Sequence, residues 1–171
     1  MKTDKREDIP HRRFFFSFCD VHGHFRLMSE LLQIAEKKLG VSLEFVLQVG
    51  DFEPVRHEAD LSSVAAPAKY LQMGDFPDVL SGQVTFPWPV HFIGGNHEPY
   101  AFLETMPVGG DVAHNCHYMG RVGFKDIGGL QVAGLTGIYS QLNHDKSRPP
   151  LANMPTASKK LWTYFNKGDV Q

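Results

Sequence analysis

Apolar and polar positions along this chain fall into blocks of different period, and the period predicts the element. Arg13 to Cys19 holds an aromatic run, Phe14-Phe15-Phe16-Ser17-Phe18, with the length and composition of a buried strand. After a polar break at Asp20-Val21-His22-Gly23-His24, Met28, Leu31, Leu32, Ala35 and Leu39 recur at helical spacing. They predict a helix over Phe25 to Leu39, with Gly40 as its stop. Leu43 to Val49 is a second apolar strand ending on Gly50-Asp51, and Val90 to Ile93 is a third ending on Gly94-Gly95-Asn96-His97-Glu98. Between them, Glu58 to about Met73 reads as helical, and Gly74 to Pro89 as a Pro/Gly-rich excursion. Pro99 suits the first turn of a short helix reaching about Met106.

From His117 onward the texture changes. Tyr118-Met119, Val122 to Ile127 and Leu130 to Leu135 read as short strands separated by Gly120 and Gly128-Gly129, which predicts β-hairpins. A loop from Asn143 to Pro155 leads to a last amphipathic helix, Thr156 to about Asn166. Strand–loop–helix units in the first half imply a parallel sheet flanked by helices, and the second half adds a meander; the fold class is α/β.

Composition narrows the classes. The 171 residues suit one compact domain, residues 13–171, preceded by a charged and solvated tail over residues 1–12. Lys and Arg number 17 against 19 Asp and Glu, a net charge of −2, which argues against a general nucleic-acid binder. An enzyme acting on nucleic acid stays open, because bound metal ions can supply positive charge. No apolar run is long enough for a signal core or a membrane span. Two cysteines make no disulfide framework, so a reducing, cytoplasmic setting is expected, with Cys19 read as core and Cys116 as inert. Nine histidines among 16 glycines direct attention to a metal site.

Three polar clusters each follow the carboxyl end of an apolar strand: Asp20-Val21-His22, Gly50-Asp51-Phe52-Glu53 and Gly95-Asn96-His97-Glu98. In an open α/β sheet the crevice beyond those ends is where ligands bind. Neighbouring strands lie about 4.8 Å apart, so such residues can converge on one small object. Carboxylates, imidazoles and an amide carbonyl form a hard-to-borderline donor set suited to Mn²⁺, Fe or Zn²⁺. Taken singly, Asp-x-His and Gly-Asp are ordinary turn sequences; occurring in order at three strand ends, they point to metal. Arg56, just past the second cluster, is a candidate contact for a substrate phosphate, weighed evenly against a surface salt bridge.

The three clusters resemble the fingerprint of the calcineurin-like metallophosphoesterases: D-x-H, then G-D-x-x, then G-N-H-[ED]. The resemblance implies a layered α/β sandwich and a binuclear site for two divalent metal ions, with Asp20 and His22 on the first metal, Asp51 bridging, and Asn96 on the second. It further implies that His97 contacts the phosphate or protonates the leaving oxygen, and that Glu98 orients His97. Within that superfamily, Gly50-Asp51-Phe52-Glu53-Pro54-Val55-Arg56-His57-Glu58-Ala59-Asp60-Leu61, Lys69-Tyr70, Phe92 to Glu98, Pro107-Val108-Gly109-Gly110 and Gly134 to Tyr139 are similar to blocks of lariat-RNA debranching enzymes. The likeness covers roughly residues 13 to 150. It departs at the first motif, where debranching enzymes resemble Cys-x-His-Gly and this chain has Asp20-Val21-His22-Gly23.

The resemblance implies a metal-dependent phosphoesterase, a phosphodiesterase acting through an activated water, with a phosphate ester as substrate and nucleic acid among the candidates. The family's later ligands, a further strand-end His and a G-H-x-H, are not found in these 171 residues. Three explanations stand side by side: the chain is the N-terminal portion of a longer protein, it is a non-catalytic relative serving as a binding module, or a partner chain completes the site.

Overall fold

The structure is a computed structural model and describes residues 13–171; the predicted tail over residues 1–12 lies outside them. Five strands form the main sheet. β1 (Phe14–Phe18), β2 (Leu43–Val49) and β3 (Val90–Ile93) run parallel and adjacent, in sequence order. β5 (Cys116–Tyr118) pairs parallel with β3, and β4 (Gly110–Ala113) closes that edge antiparallel to β5. β6 (Val122–Ile127) and β7 (Leu130–Leu135) make a separate antiparallel hairpin, turned at Gly128 and Gly129, whose φ values of 58° and 80° suit a tight primed turn. The mixed α/β class follows the expected one. Among the described residues, no helix is long and apolar enough to cross a membrane.

Parallel neighbours need crossovers. α1 (Phe25–Leu39) links β1 to β2 and ends where Gly40 adopts a left-handed φ of 64° and donates its N–H to Glu36. Its start has no local cap; the carboxylate of Asp75, fifty residues on, accepts the N–H groups of Phe25 (2.6 Å) and Arg26 (3.1 Å). The buried face is Phe25, Met28, Ser29 and Leu32, while Leu31 and Leu39 are exposed, so the helix is rotated relative to the predicted stripe. Beneath it, Phe25 packs edge-on against Phe52, and Phe52 stacks on Phe92 at 4.2 Å.

Several expectations need correction. β1 is an edge strand and not a buried one: Phe14 and Phe15 are 38% and 43% exposed, Phe15 lying flat on Phe45, and Cys19 is exposed. The helix expected from Glu58 to Met73 is two separate 3₁₀ turns, Glu58–Ser63 and Ala68–Tyr70. Pro67 intervenes, and its fixed φ with no N–H to donate blocks a continuous helix. The following excursion contains α2 (Phe76–Leu80), with Pro77 in its first turn. α3 (Tyr100–Leu103) is shorter than expected, and β4 with the start of β5 passed unnoticed. The last helix is one turn, α4 (Lys160–Thr163), because Tyr164 turns extended to bridge Ile138. Buried Arg121 anchors this end: it pairs with Glu104, donates to the carbonyl of Trp162 and lies 4.5 Å over the ring of Tyr100.

On the sheet face toward the hairpin, His91 stacks on His117 at 4.8 Å, and its Nδ1 is buried without a partner among the described residues. Burial, then the neighbouring His117 and Lys125, bring His91 down to about 4, against a small opposing pull from Asp111. A neutral ring in the fold and an ordinary one near 6.5 in the unfolded chain make this contribution complete above pH 6.5 and lost as pH falls toward 4. Urea unfolding should show wild type losing on the order of 1–2 kcal/mol more than His91→Phe between about pH 7 and 4.5, less than the full shift implies because the ring is partly solvated. Equal losses in the two proteins would remove His91 as the cause.

Candidate metal centre

The carboxyl ends of β1, β2 and β3 lie side by side, so the three polar loops meet. Backbone bonds zip the first loop to the second: Asp20 N–H to the Gly50 carbonyl (3.0 Å), His22 N–H to Asp51 (2.9 Å) and Gly23 N–H to Phe52 (3.2 Å). The third loop joins through the Asp51 carboxylate, whose Oδ1 accepts the N–H of His97 at 2.9 Å. Gly95 is required at this crossing, since a Cβ there would fall on Asp51 Oδ1. Asp20, His22, Asp51 and Glu53 all hold left-handed φ values, 58°, 47°, 50° and 56°. Each such position costs about 1–3 kcal/mol, and strain of this kind collects at functional sites.

Glu98 holds the two inner loops together. It is fully buried, and its carboxyl accepts the N–H groups of Phe52 (2.9 Å), Gly95 (3.0 Å) and Glu53 (2.8 Å). Burial pushes its pKa up to about 7, with the charge of Asp51 adding to the rise and the three backbone bonds opposing it. The residue expected to orient His97 thus grips the backbone of Phe52, Glu53 and Gly95. The backbone N–H of His97 is held on Asp51, and its ring Nδ1 lies 3.7 Å from Asp51 Oδ2.

Ligand-capable atoms of Asp20, His22 and Asp51 lie within 4.8 Å of one another. His22 Nε2 is 3.9 Å from Asp20 Oδ1 and 4.0 Å from Asp51 Oδ2. Donors about 2.0–2.2 Å from one ion have mutual spacings of this order, so two carboxylates and an imidazole fit a divalent metal. His97 stands beside them, its ring 5.5 Å from that of His22 and its Nδ1 3.7 Å from Asp51 Oδ2. Asn96 lies next to His97 on the wall of a 530 Å³ cavity.

Sequence reasoning left Glu53 without a role. Its Oε1 is 2.8 Å from His22 Nδ1 and 3.8 Å from His97 Nδ1, and these three side chains form a second group close enough to share an ion. The available signal was a second carboxylate two residues past Asp51, brought to the same side by the left-handed turns. Burial alone would lower His22, but the hydrogen bond and charge of Glu53, then Asp51 and Asp20, raise it on balance. Burial raises Glu53 as well, despite His22; the shifts are not mirror images because Glu53 is the more buried partner, 13% exposed against 39%. Lys159, Lys160 and Tyr164, which carry no motif in the sequence, line the 530 Å³ cavity together with Asn96 and His97. Arg56 faces the other way: Nε and Nη2 grip Asp60 at 2.8 Å each and its guanidinium lies 3.7 Å over Phe102, so the geometry favours the salt bridge over the phosphate contact.

Comparison with known proteins agrees with this arrangement. No family model matches the chain. Lariat debranching enzyme A of Xenopus laevis is 39% identical over 132 residues, 75% of this chain and 25% of that protein. The chain is homologous to the N-terminal part of lariat debranching enzymes, which are calcineurin-like metallophosphoesterases. The lariat debranching enzyme of Entamoeba histolytica is 39% identical over 135 residues, 78% of this chain and 38% of that one, and that of Mus musculus is 38% identical over 150 residues, 88% and 27%. Against the lariat debranching enzymes it matches, this chain thus spans well under half of their length.

The buried clamp makes a direct prediction. Glu98→Ala strands three N–H groups inside the protein and should cost about 2–4 kcal/mol in urea unfolding, given about 1–3 kcal/mol for each unsatisfied group and some relief from water entry. A loss under about 0.5 kcal/mol, the range of neutral surface changes, would show that the loops do not depend on it.

Proposed function

We propose that this chain carries the metal-binding half of a metal-dependent phosphodiesterase. The observation that carries the proposal is the convergence of Asp20, His22 and Asp51 within 4.8 Å, with His97 held beside them on Asp51. Those three residues would hold a divalent ion, and Asn96, on the wall of the adjoining cavity, would serve a second. A bound ion supplies charge for the phosphate oxygens and an activated water near neutral pH. His97 lines both this cavity and a second of 390 Å³ beside His22 and Glu53, which supports its imidazole as the group that would protonate a leaving alkoxide. The backbone N–H of His97 is held on Asp51 Oδ1, which anchors the residue beside the carboxylates, and its ring Nδ1 lies 3.7 Å from Asp51 Oδ2.

The names of the relatives extend the proposal to RNA, with the 2′,5′ branch as the scissile bond. Lys159 and Lys160 support a polyanionic substrate, because they bring positive charge to the lining of the cavity that His97 also lines. The first motif supports a broader diesterase, since Asp20 replaces the cysteine to which debranching enzymes are similar there.

Both aspects are open to one set of assays. With Mn²⁺ added, bis-p-nitrophenyl phosphate should turn over, and Asp51→Asn and His97→Ala should each lower kcat/KM by about 100-fold or more. Activity that survives both changes would sink the phosphodiesterase proposal. A branched 2′,5′ RNA left intact while simple diesters are cut would sink the debranching extension alone.

A further inference from the structure

The two ring nitrogens of His22 face different groups. Nε2 is turned toward the Asp20 and Asp51 carboxylates at 3.9 and 4.0 Å, whereas Nδ1 is 2.8 Å from Glu53 Oε1, a separation with room for a hydrogen bond and nothing else. A neutral imidazole carries one proton, and whichever nitrogen holds it cannot bind a metal. Glu53 offers an acceptor only to Nδ1. We propose that Glu53 is the positioning residue of the metal centre: it accepts the Nδ1–H of His22 and so leaves the Nε2 lone pair aimed at the ion shared with Asp20 and Asp51. This deepens the metal reading given above and rests on it.

Three further features favour the role. Glu53 is itself held rigidly, with its φ of 56° and its N–H bound to the buried Glu98 at 2.8 Å. Its side chain is only 13% exposed, so water competes weakly for the hydrogen bond. The clamp that joins the second and third loops therefore also aims the ligand of the first. Carboxylates behind metal-bound histidines commonly contribute 10–100-fold in metal affinity. The same geometry admits a rival, in which Glu53, His22 and His97 chelate an ion directly.

Glutamine separates the two, because its amide oxygen still accepts from Nδ1–H while its charge as a ligand is gone. Two measurements on the 171-residue chain test the proposal. In Mn²⁺ titrations followed by calorimetry, Glu53→Ala should weaken binding 10–100-fold, and Glu53→Gln should stay within about threefold of wild type. Asp51→Asn serves as the control that abolishes the site. Long-range ¹⁵N–¹H spectra of the metal-free protein should show His22 protonated on Nδ1 in wild type and in Glu53→Gln, and a mixture of tautomers in Glu53→Ala.

An unchanged affinity in Glu53→Ala, with Asp51→Asn still losing the metal, would overturn the positioning role alone. A glutamine variant as weak as the alanine one would overturn it in favour of direct ligation. A wild-type chain that takes up no Mn²⁺ would instead defeat the metal reading, while the tautomer spectra would still decide whether Glu53 sets His22. Thermal unfolding of each variant, expected within a few degrees of wild type, guards against simple misfolding.

Discussion

A carboxyl group with no exposure to water and three N–H groups pointed at it is the constraint on which the rest of this site depends. Glu98 gathers Phe52, Glu53 and Gly95, so the loop after β2 cannot move relative to the loop after β3. Because the loop after β1 is bonded along its length to the second loop, all three are carried together. The left-handed residues Asp20, His22, Asp51 and Glu53 are conformations a free loop would relax out of. They persist because the surrounding bonds over-determine them, and their effect is to turn four polar side chains toward one point.

That arrangement gives a division of labour within a small volume. Asp51 has one carboxylate oxygen occupied by the backbone N–H of His97 and the other facing the rings of His22 and His97, so one residue ties the third loop to the second and presents a carboxylate to both imidazoles. The charges that gather here are mostly negative, which a site built only for its own stability would avoid, since like carboxylates a few ångströms apart repel. A cation resolves the repulsion. Positive side chains, Lys159 and Lys160, contribute to the lining of the cavity that Asn96 and His97 also line.

The fold supports the site unevenly. β1, which delivers Asp20 and His22, is an edge strand whose outer side is uncovered among the described residues, whereas β2 and β3, which deliver Asp51 and His97, are flanked on both sides. The bonds from the first loop to Gly50, Asp51 and Phe52 tie the edge strand's loop to that of its flanked neighbour.

Sequence alone was enough for much of what depends on neighbours a few residues apart. The three strand-end clusters, the helix of Phe25–Leu39 with its glycine stop, and the Gly128-Gly129 hairpin follow from periodicity and turn chemistry, and so does the α/β class. Tertiary structure decided what depends on groups far apart in the chain. Asp75 caps a helix fifty residues before it, Glu98 reaches back 45 and 46 residues for two of its N–H donors, and Glu53 finds His22 across 31. The edge position of β1 was equally hidden, since strand order leaves no local trace, whereas Pro67 marks the splitting of the Glu58 to Met73 segment in the sequence itself. A donor set can be read from spacing, but the proton that selects which nitrogen binds is chosen by a residue only the fold brings into reach.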